Sequence, residues 1–367
     1  MASRTDSSDM MDPGPQENPP GYDHTGQPDQ QRDQLEVDEI DSDWDGDSAL
    51  GGMSQFSSTE SISDSIYDHV VENGRTYHRF KEGKYLLPND EGEQKRLSKL
   101  PPDPYYYQHQ LYTAVLDGKL FISPVGPRLK NVLDVGTGTG IWAVEVGLEY
   151  AGANVLGIDL SPIQPSYAPP NVSFEICDAE DEWCFGQSFD LVHMRATVAS
   201  FKNPRAIFEE AYRSLAPGGF IELRDPILPF CFLTPAPEGC ALQEWGDRLM
   251  EAARLSGRDW GVAARYAQML GEIGFVNVTE RREAIALNPW VKGSHNKQLS
   301  LLLQHDVLNM LEPMCMALFT RVLGWEAQKV LDCLELVKKD VQNTKIHAYS
   351  EGIHIYAQKP YDAPRID

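Results

Sequence analysis

From residue 131 onward the chain alternates between two hydrophobic patterns. Short, continuous apolar runs at 131–135 (NVLDV), 155–160 (VLGIDL), 172–177 (VSFEIC), 189–194 (FDLVHM) and 219–224 (GFIELR) read as buried strands. Between them lie stretches with apolar residues at helical spacing, notably 141–150 and 204–215. This alternation predicts an α/β fold, a doubly wound, mostly parallel sheet of the Rossmann type. Further on, 238–256 and 259–273 predict helices, 276–287 alternates as a sixth strand, 295–342 is helical again, and 353–359 closes as a seventh strand.

Upstream the pattern is looser. Ile62, Ile66 and Val70 recur at helical spacing and predict a short amphipathic helix within 59–74, stopped by Gly74. Asn89 would cap a helix whose first turn carries Asp90, Glu91 and Glu93, and 104–117 predicts another, stopped by Gly118. The expected division is a disordered acidic tail at 1–60, a helical lead-in and cap at 61–130, a ligand-binding core at 131–225, and 226–360, where a helical insert among the last strands covers the C-terminal edge of the sheet.

Composition adds the tail. Residues 1–65 hold sixteen Asp and Glu against Arg4 and Arg32, so −14 of the net charge of −23 sits there. Rich in Asp, Pro, Gln, Ser and Gly, this stretch cannot bury enough apolar surface to offset the entropy of ordering. The remaining body is mildly acidic and has no Lys/Arg cluster, which argues against nucleic-acid phosphates and anionic membranes as partners. No run of eighteen apolar residues occurs and the first thirty residues are polar, so neither a membrane span nor a secretory signal is expected, and the protein is placed inside the cell, in cytoplasm or nucleus. The six cysteines show no CxxC spacing and lie in apolar stretches, reading as buried thiols rather than disulfides or metal ligands.

The candidate chemistry starts at 131–144, NVLDVGTGTGIWAV, a strand that ends in Gly136, Gly138 and Gly140 and then opens a helix. Glycine there tolerates positive φ and lets a ligand approach the backbone. A dinucleotide loop has its third glycine five places after the first, where this chain has Ile141, and no G-x-x-x-x-G-K-[ST] occurs. Asp159 ends the next strand, where a carboxylate can accept both hydroxyls of a ribose. The pattern suits an adenosine-type ligand.

Taken with GIDLSPIQP (157–165), PPNVSFEICDAEDEW (169–183), FDLVHMR (189–195) and LAPGGFIEL (215–223), the loop resembles that of the class I S-adenosylmethionine (SAM) methyltransferases. More narrowly, ENGRTYHRFKEGKYLLPND (72–90), LNPW (287–290) and IHAYSEGIHIY (346–356) resemble the LaeA/UMTA-like fungal methyltransferases of secondary metabolism and its regulation. The resemblance spans roughly residues 60–360. It implies SAM as cofactor, with Gly136, Thr137, Gly138 and Gly140 around its methionyl part and Asp134 supporting the loop. Asp159 and the neighbouring Leu160 would meet the ribose, and Asp178 and Ala179 the adenine edge.

Methyl transfer from a sulfonium is an in-line displacement with a good leaving group, so geometry and removal of an acceptor proton are what the protein must supply. His193 and Arg195, alternate residues at the end of the fourth strand, are candidates to face the acceptor, with a structural role open for both. Tyr77, His78 and Trp290 are candidates for the substrate side or its cover. Many relatives carry G-S-x-x-x-W-P after the fourth strand; here the stretch is ASFKNP (199–204), without that tryptophan, which leaves the acceptor open. The N-P-P-Y motif of amino-group methyltransferases is absent. Two functions fit: an enzyme that methylates a small-molecule acceptor, or a LaeA-type regulator that works in a complex with a velvet-type protein partner.

Overall fold

Strand, glycine turn and helix succeed one another through the computed structural model, which describes Leu35 and residues 69–79, 81, 83–90, 92–93, 107–126 and 129–362. The tail at 1–60 therefore lies outside the described residues, apart from Leu35. Ile62 and Ile66 lie outside them as well.

The helix expected to run to Gly74 is corrected over its last third. β1 (His69–Glu72) and β2 (Arg75–His78) form an antiparallel hairpin in which Val70 pairs with Tyr77. The physical reason is the Asn73-Gly74 pair: both residues have positive φ, at 51° and 78°, the two-residue turn that suits the twist of a hairpin. At the next predicted helix the cap is Asp90, whose Oδ1 accepts from the N–H of Glu93 at 2.9 Å. The continuation of that turn lies outside the described residues. α1 (Tyr107–Val115) follows, with Gly118 at φ +84° behind it.

The main sheet has seven strands: β3 (Asn131–Val135), β4 (Asn154–Asp159), β5 (Val172–Ile176), β6 (Phe189–Arg195), β7 (Leu215–Phe232), β8 (Val276–Ala286) and β9 (Ala348–Gln358). Their spatial order is β5-β4-β3-β6-β7-β9-β8, with β9 antiparallel to both its neighbours and the other adjacent pairs parallel. β7 and β9 run longer than the apolar runs that announced them, because their ends pair with each other beyond the parallel part of the sheet.

Period-2 alternation loads both faces. Val132 and Leu191 pack with Trp142, Ala143 and Val146 of α2 (Ile141–Glu149). Leu133, Val135, Val192 and Met194 face the larger core, which receives α3 (Pro204–Ser214), α4 (Ala241–Leu255), α5 (Tyr266–Ile273), α6 (Ser294–Arg321) and α7 (Ala327–Gln342). α3 starts where the Asn203 side chain accepts from the N–H of Ala206, with Pro204 in its first turn. The 295–342 stretch is thus two helices, inserted between β8 and β9.

All six cysteines are free thiols; Cys240 and Cys315 are buried as expected, Cys177, Cys231 and Cys333 are half-buried, and Cys184 is exposed, against the expectation that all are buried. No helix among the described residues is long and apolar enough to cross a membrane.

Candidate active site

The strand order reverses between β4 and β6 on either side of β3, and a parallel sheet opens a crevice at the carboxyl ends of such strands. Here the crevice holds the glycine loop. Gly136, Gly138 and Gly140 have φ of +70°, +58° and +79°, and a Cβ on Gly140 would stand 2.4 Å from Phe174 Cζ. Left-handed backbone at every second position curls the loop around the cleft. Asp134 braces it from below, its Oδ2 accepting from Thr137 Oγ1 at 2.6 Å.

Asp134, Gly136, Thr137, Gly138, Asp159, Leu160, Asp178 and Ala179 all line this one cleft, of about 1040 Å³ counted to its open mouth. Gly140 does not line it; its place is under Phe174. Asp159 accepts from the N–H groups of Gly138 at 2.8 Å and Ser161 at 2.9 Å, yet burial pushes its carboxyl up to about 6. Asp178 is held below the usual carboxylate range, burial being outweighed by Lys81, at 2.8 Å, by Lys84 and by the N–H of Glu180. Lys84, Tyr85 and Leu87 roof the cleft. The lead-in thus reaches the site through residues that no spacing rule marked. Thr139 is another: its buried Oγ1 lines the cleft with no hydrogen bond among the described residues.

His193 does not face an acceptor. Alternation along β6 turns it to the face that α2 covers, where it is fully buried and stacks on Trp142 with ring centroids 3.6 Å apart and planes 6° from parallel. Its Nδ1 meets Asp134 Oδ1 at 2.8 Å, and burial brings its pKa down to about 4, so the ring is neutral and donates from Nδ1. Against the expectation that it faces the acceptor, His193 does not line the cleft and is held against Asp134 instead. Arg195, two residues on, has passed the edge of α2 and lines the cleft. Its Nη2 donates to His109 Nδ1 at 3.0 Å, leaving His109 Nε2–H to donate to Glu145 at 2.9 Å.

Tyr77, His78 and Trp290 line neither the cleft nor its neighbour. Tyr77 packs under Arg321, 4.8 Å from its ring centroid, and burial pushes its phenol up to about 12. His78 is buried beside Tyr85, with ring centroids 5.9 Å apart. Trp290 donates Nε1–H to the Ala348 carbonyl at 2.9 Å, and Asn288 of the same LNPW motif donates to the Val341 and Asn343 carbonyls. That motif ties β8 to β9 and to the end of α7.

A second cavity adjoins the first. Leu87, Gln108 and Ala196 line both. Beyond them the walls are mostly apolar, with Leu111 and Val115 of α1, Leu228 and Phe230 of β7, and Leu303, Val307, Met310 and Met314 of α6, though Glu93, Asp306 and His354 also line it. Asp225 lines it too, accepting from the N–H groups of Thr197 and Val198 and from the Tyr266 hydroxyl, with burial pushing it up to about 6. At the junction Ala196 has φ +56°, a backbone state unusual for a residue with a Cβ, held by its N–H to the Arg224 carbonyl at 2.9 Å. Outliers of this kind collect at sites. Nothing in the sequence around Ala196 announces one.

A methyltransferase-domain family profile matches residues 107–280. The methyltransferase pytC of Aspergillus terreus is 34% identical over 307 residues, covering 83% of this chain and 92% of that protein. The secondary metabolism regulator laeA of Aspergillus fumigatus is 34% identical over 319 residues, covering 84% and 82%. The protein-methionine methyltransferase laeA of Emericella nidulans is 34% identical over 294 residues, covering 79% and 76%.

Proposed function

The chain belongs to the fungal methyltransferase family of pytC and laeA, class I SAM-dependent enzymes, and on that premise we propose that it methylates an apolar small molecule bound beneath α6. The observation that carries this reading is the apolar cavity opening off the glycine-loop cleft through Leu87, Gln108 and Ala196. A chamber walled by aliphatic and methionine side chains offers a small acceptor the desolvated approach that an in-line displacement needs.

The cleft fits SAM. Two carboxylates at adjacent strand ends, an orphaned Thr139 hydroxyl and a loop with no side chain at alternate positions suit a ligand with a diol, an exocyclic amine and a close-approaching chain. SAM brings a methyl group on a sulfonium, which leaves without acid assistance. Residues 131–225 take the cofactor in this reading: the loop from Gly136 to Gly140 cradles the methionyl part, Asp159 and Leu160 meet the ribose, and Asp178 and Ala179 meet the adenine. Residues 226–360, with the lead-in at 61–130, cover the acceptor and keep water from it. Arg195, next to Ala196 on the cleft wall, is a fixed cation that would favour the deprotonated form of an acidic acceptor group before the transfer.

The alternative is a LaeA-type regulator acting inside the cell, in cytoplasm or nucleus, through a velvet-type partner; the likeness to the Aspergillus fumigatus secondary metabolism regulator supports the regulatory part of this reading. Deleting the gene and profiling metabolites separates the two. Loss of one methylated compound with its unmethylated precursor accumulating supports the enzyme, whereas collapse of many unrelated compounds supports the regulator. The cofactor assignment has its own check. Gly138→Val places a side chain on a φ +58° position in the cleft wall, and calorimetry should find SAM binding lost with the fold intact. Unchanged affinity in that variant would sink the assignment.

A further inference from the structure

Trp290 belongs to a small apolar cluster separate from the two main cores, together with Ala286, Val291 and Tyr349. Ala286 and Tyr349 pair across β8 and β9, and their neighbours Ile285 and Ser350 line the apolar cavity. Alternation therefore puts the Trp290 cluster on the opposite face of the sheet. The fifth buried member of this cluster is Leu35, which is 7% exposed and comes from the acidic N-terminal stretch.

We propose that this apolar cluster on the sheet's far face is a docking site for the chain's own N-terminal arm, with Leu35 as the plug. Three observations support that occupant. Leu35 itself packs in that cluster, with Ala286, Trp290, Val291 and Tyr349, all more than 240 positions away in the sequence. Charge favours it: Asp33, Glu36, Asp38 and Glu39 flank Leu35 in the sequence, while Lys292 follows Val291 directly and Lys345 precedes Ala348 by three positions. Length allows it as well. The residues between Leu35 and His69 can span on the order of 100 Å when extended, and so short a tether holds the arm near the cluster at roughly millimolar effective concentration. Leu35 packs in one apolar cluster with Trp290, Val291 and Tyr349. This inference stands apart from the identity of the acceptor.

Trypsin reads the docking directly on the full chain. Between residues 1 and 65 basic side chains occur at Arg4 and Arg32, and Arg32 is three residues from Leu35. Cleavage needs an extended, undocked backbone. In the native protein the bond after Arg32 should be cut roughly tenfold more slowly than in a free peptide of residues 25–42, the scale expected for seating one large aliphatic side chain, with the bond after Arg4, 31 positions from Leu35, as the internal reference. Leu35→Asp, normalised to its own peptide, should abolish the protection, and Leu50→Asp should keep it. Equal cleavage of native protein and peptide overturns the proposal. Protection that disappears on dilution, with a dimer in sedimentation, also overturns it by assigning the plug to a second copy.

Discussion

At the residue scale, burial decides what the polar groups of the site can do. His193 is neutral and enclosed between Trp142 and Asp134, so removing it should act on the fold rather than on a proton. His193→Ala leaves a cavity under Trp142 and takes one partner from a buried carboxylate; urea unfolding should show a loss of about 2–4 kcal/mol. The pH profile of kcat/KM between 6 and 8 should keep its shape, since a group that titrates near 4 contributes no inflection there. Asp225 gives the opposite kind of test. Its carboxyl titrates near 6 in the fold against 3.8 as an ordinary side chain, so between those values the folded state binds more protons than the unfolded one. Its contribution to stability is therefore present at low pH and is lost as pH rises from about 4 to about 6. Relative to wild type, Asp225→Asn should gain about 3 kcal/mol across that window in paired denaturant titrations, whatever its absolute stability. The candidate site was legible where backbone demands are strict: loop glycines and strand-end acids are marked by residue type and spacing. Gln108, Thr139 and Ala196 were not separable from their neighbours, because what distinguishes them is where the fold places them.

At the element scale, continuous apolar runs announced the five strands β3 to β7, since a strand buried on both faces admits few polar positions, while alternation announced β8 at the sheet edge. Two errors have local causes. Three apolar residues at helical spacing outweighed the Asn73-Gly74 turn, and the turn decided the structure. β7 and β9 outran their apolar runs because an antiparallel partner can satisfy polar stretches such as 349–352 with ladder hydrogen bonds. The element that governs the acceptor is α6, whose inner residues Leu303, Val307 and Met310 wall the cavity. Val307→Trp should fill that space. In the producing host, the methylated metabolite should fall at least tenfold, while calorimetry finds SAM affinity within twofold of wild type. A parallel loss of SAM binding would show that cofactor cleft and cavity are not separable through this helix.

For the whole molecule, the sequence by itself determined the sheet, the glycine loop and its acids, and the family with its methyl donor. These are properties of single segments: apolar period sets a strand, and a positive-φ requirement selects glycine at a given place in the chain. The tertiary structure alone decided which partners meet across that frame. It turned His193 inward beneath α2, brought Lys84 and Leu87 from the lead-in over the cleft, joined the cleft to a cavity under α6, and set Leu35 against Trp290. Each of these depends on contacts between residues tens to hundreds of positions apart. Such contacts are chosen by packing and burial summed over the whole fold, and no short stretch of sequence carries that sum.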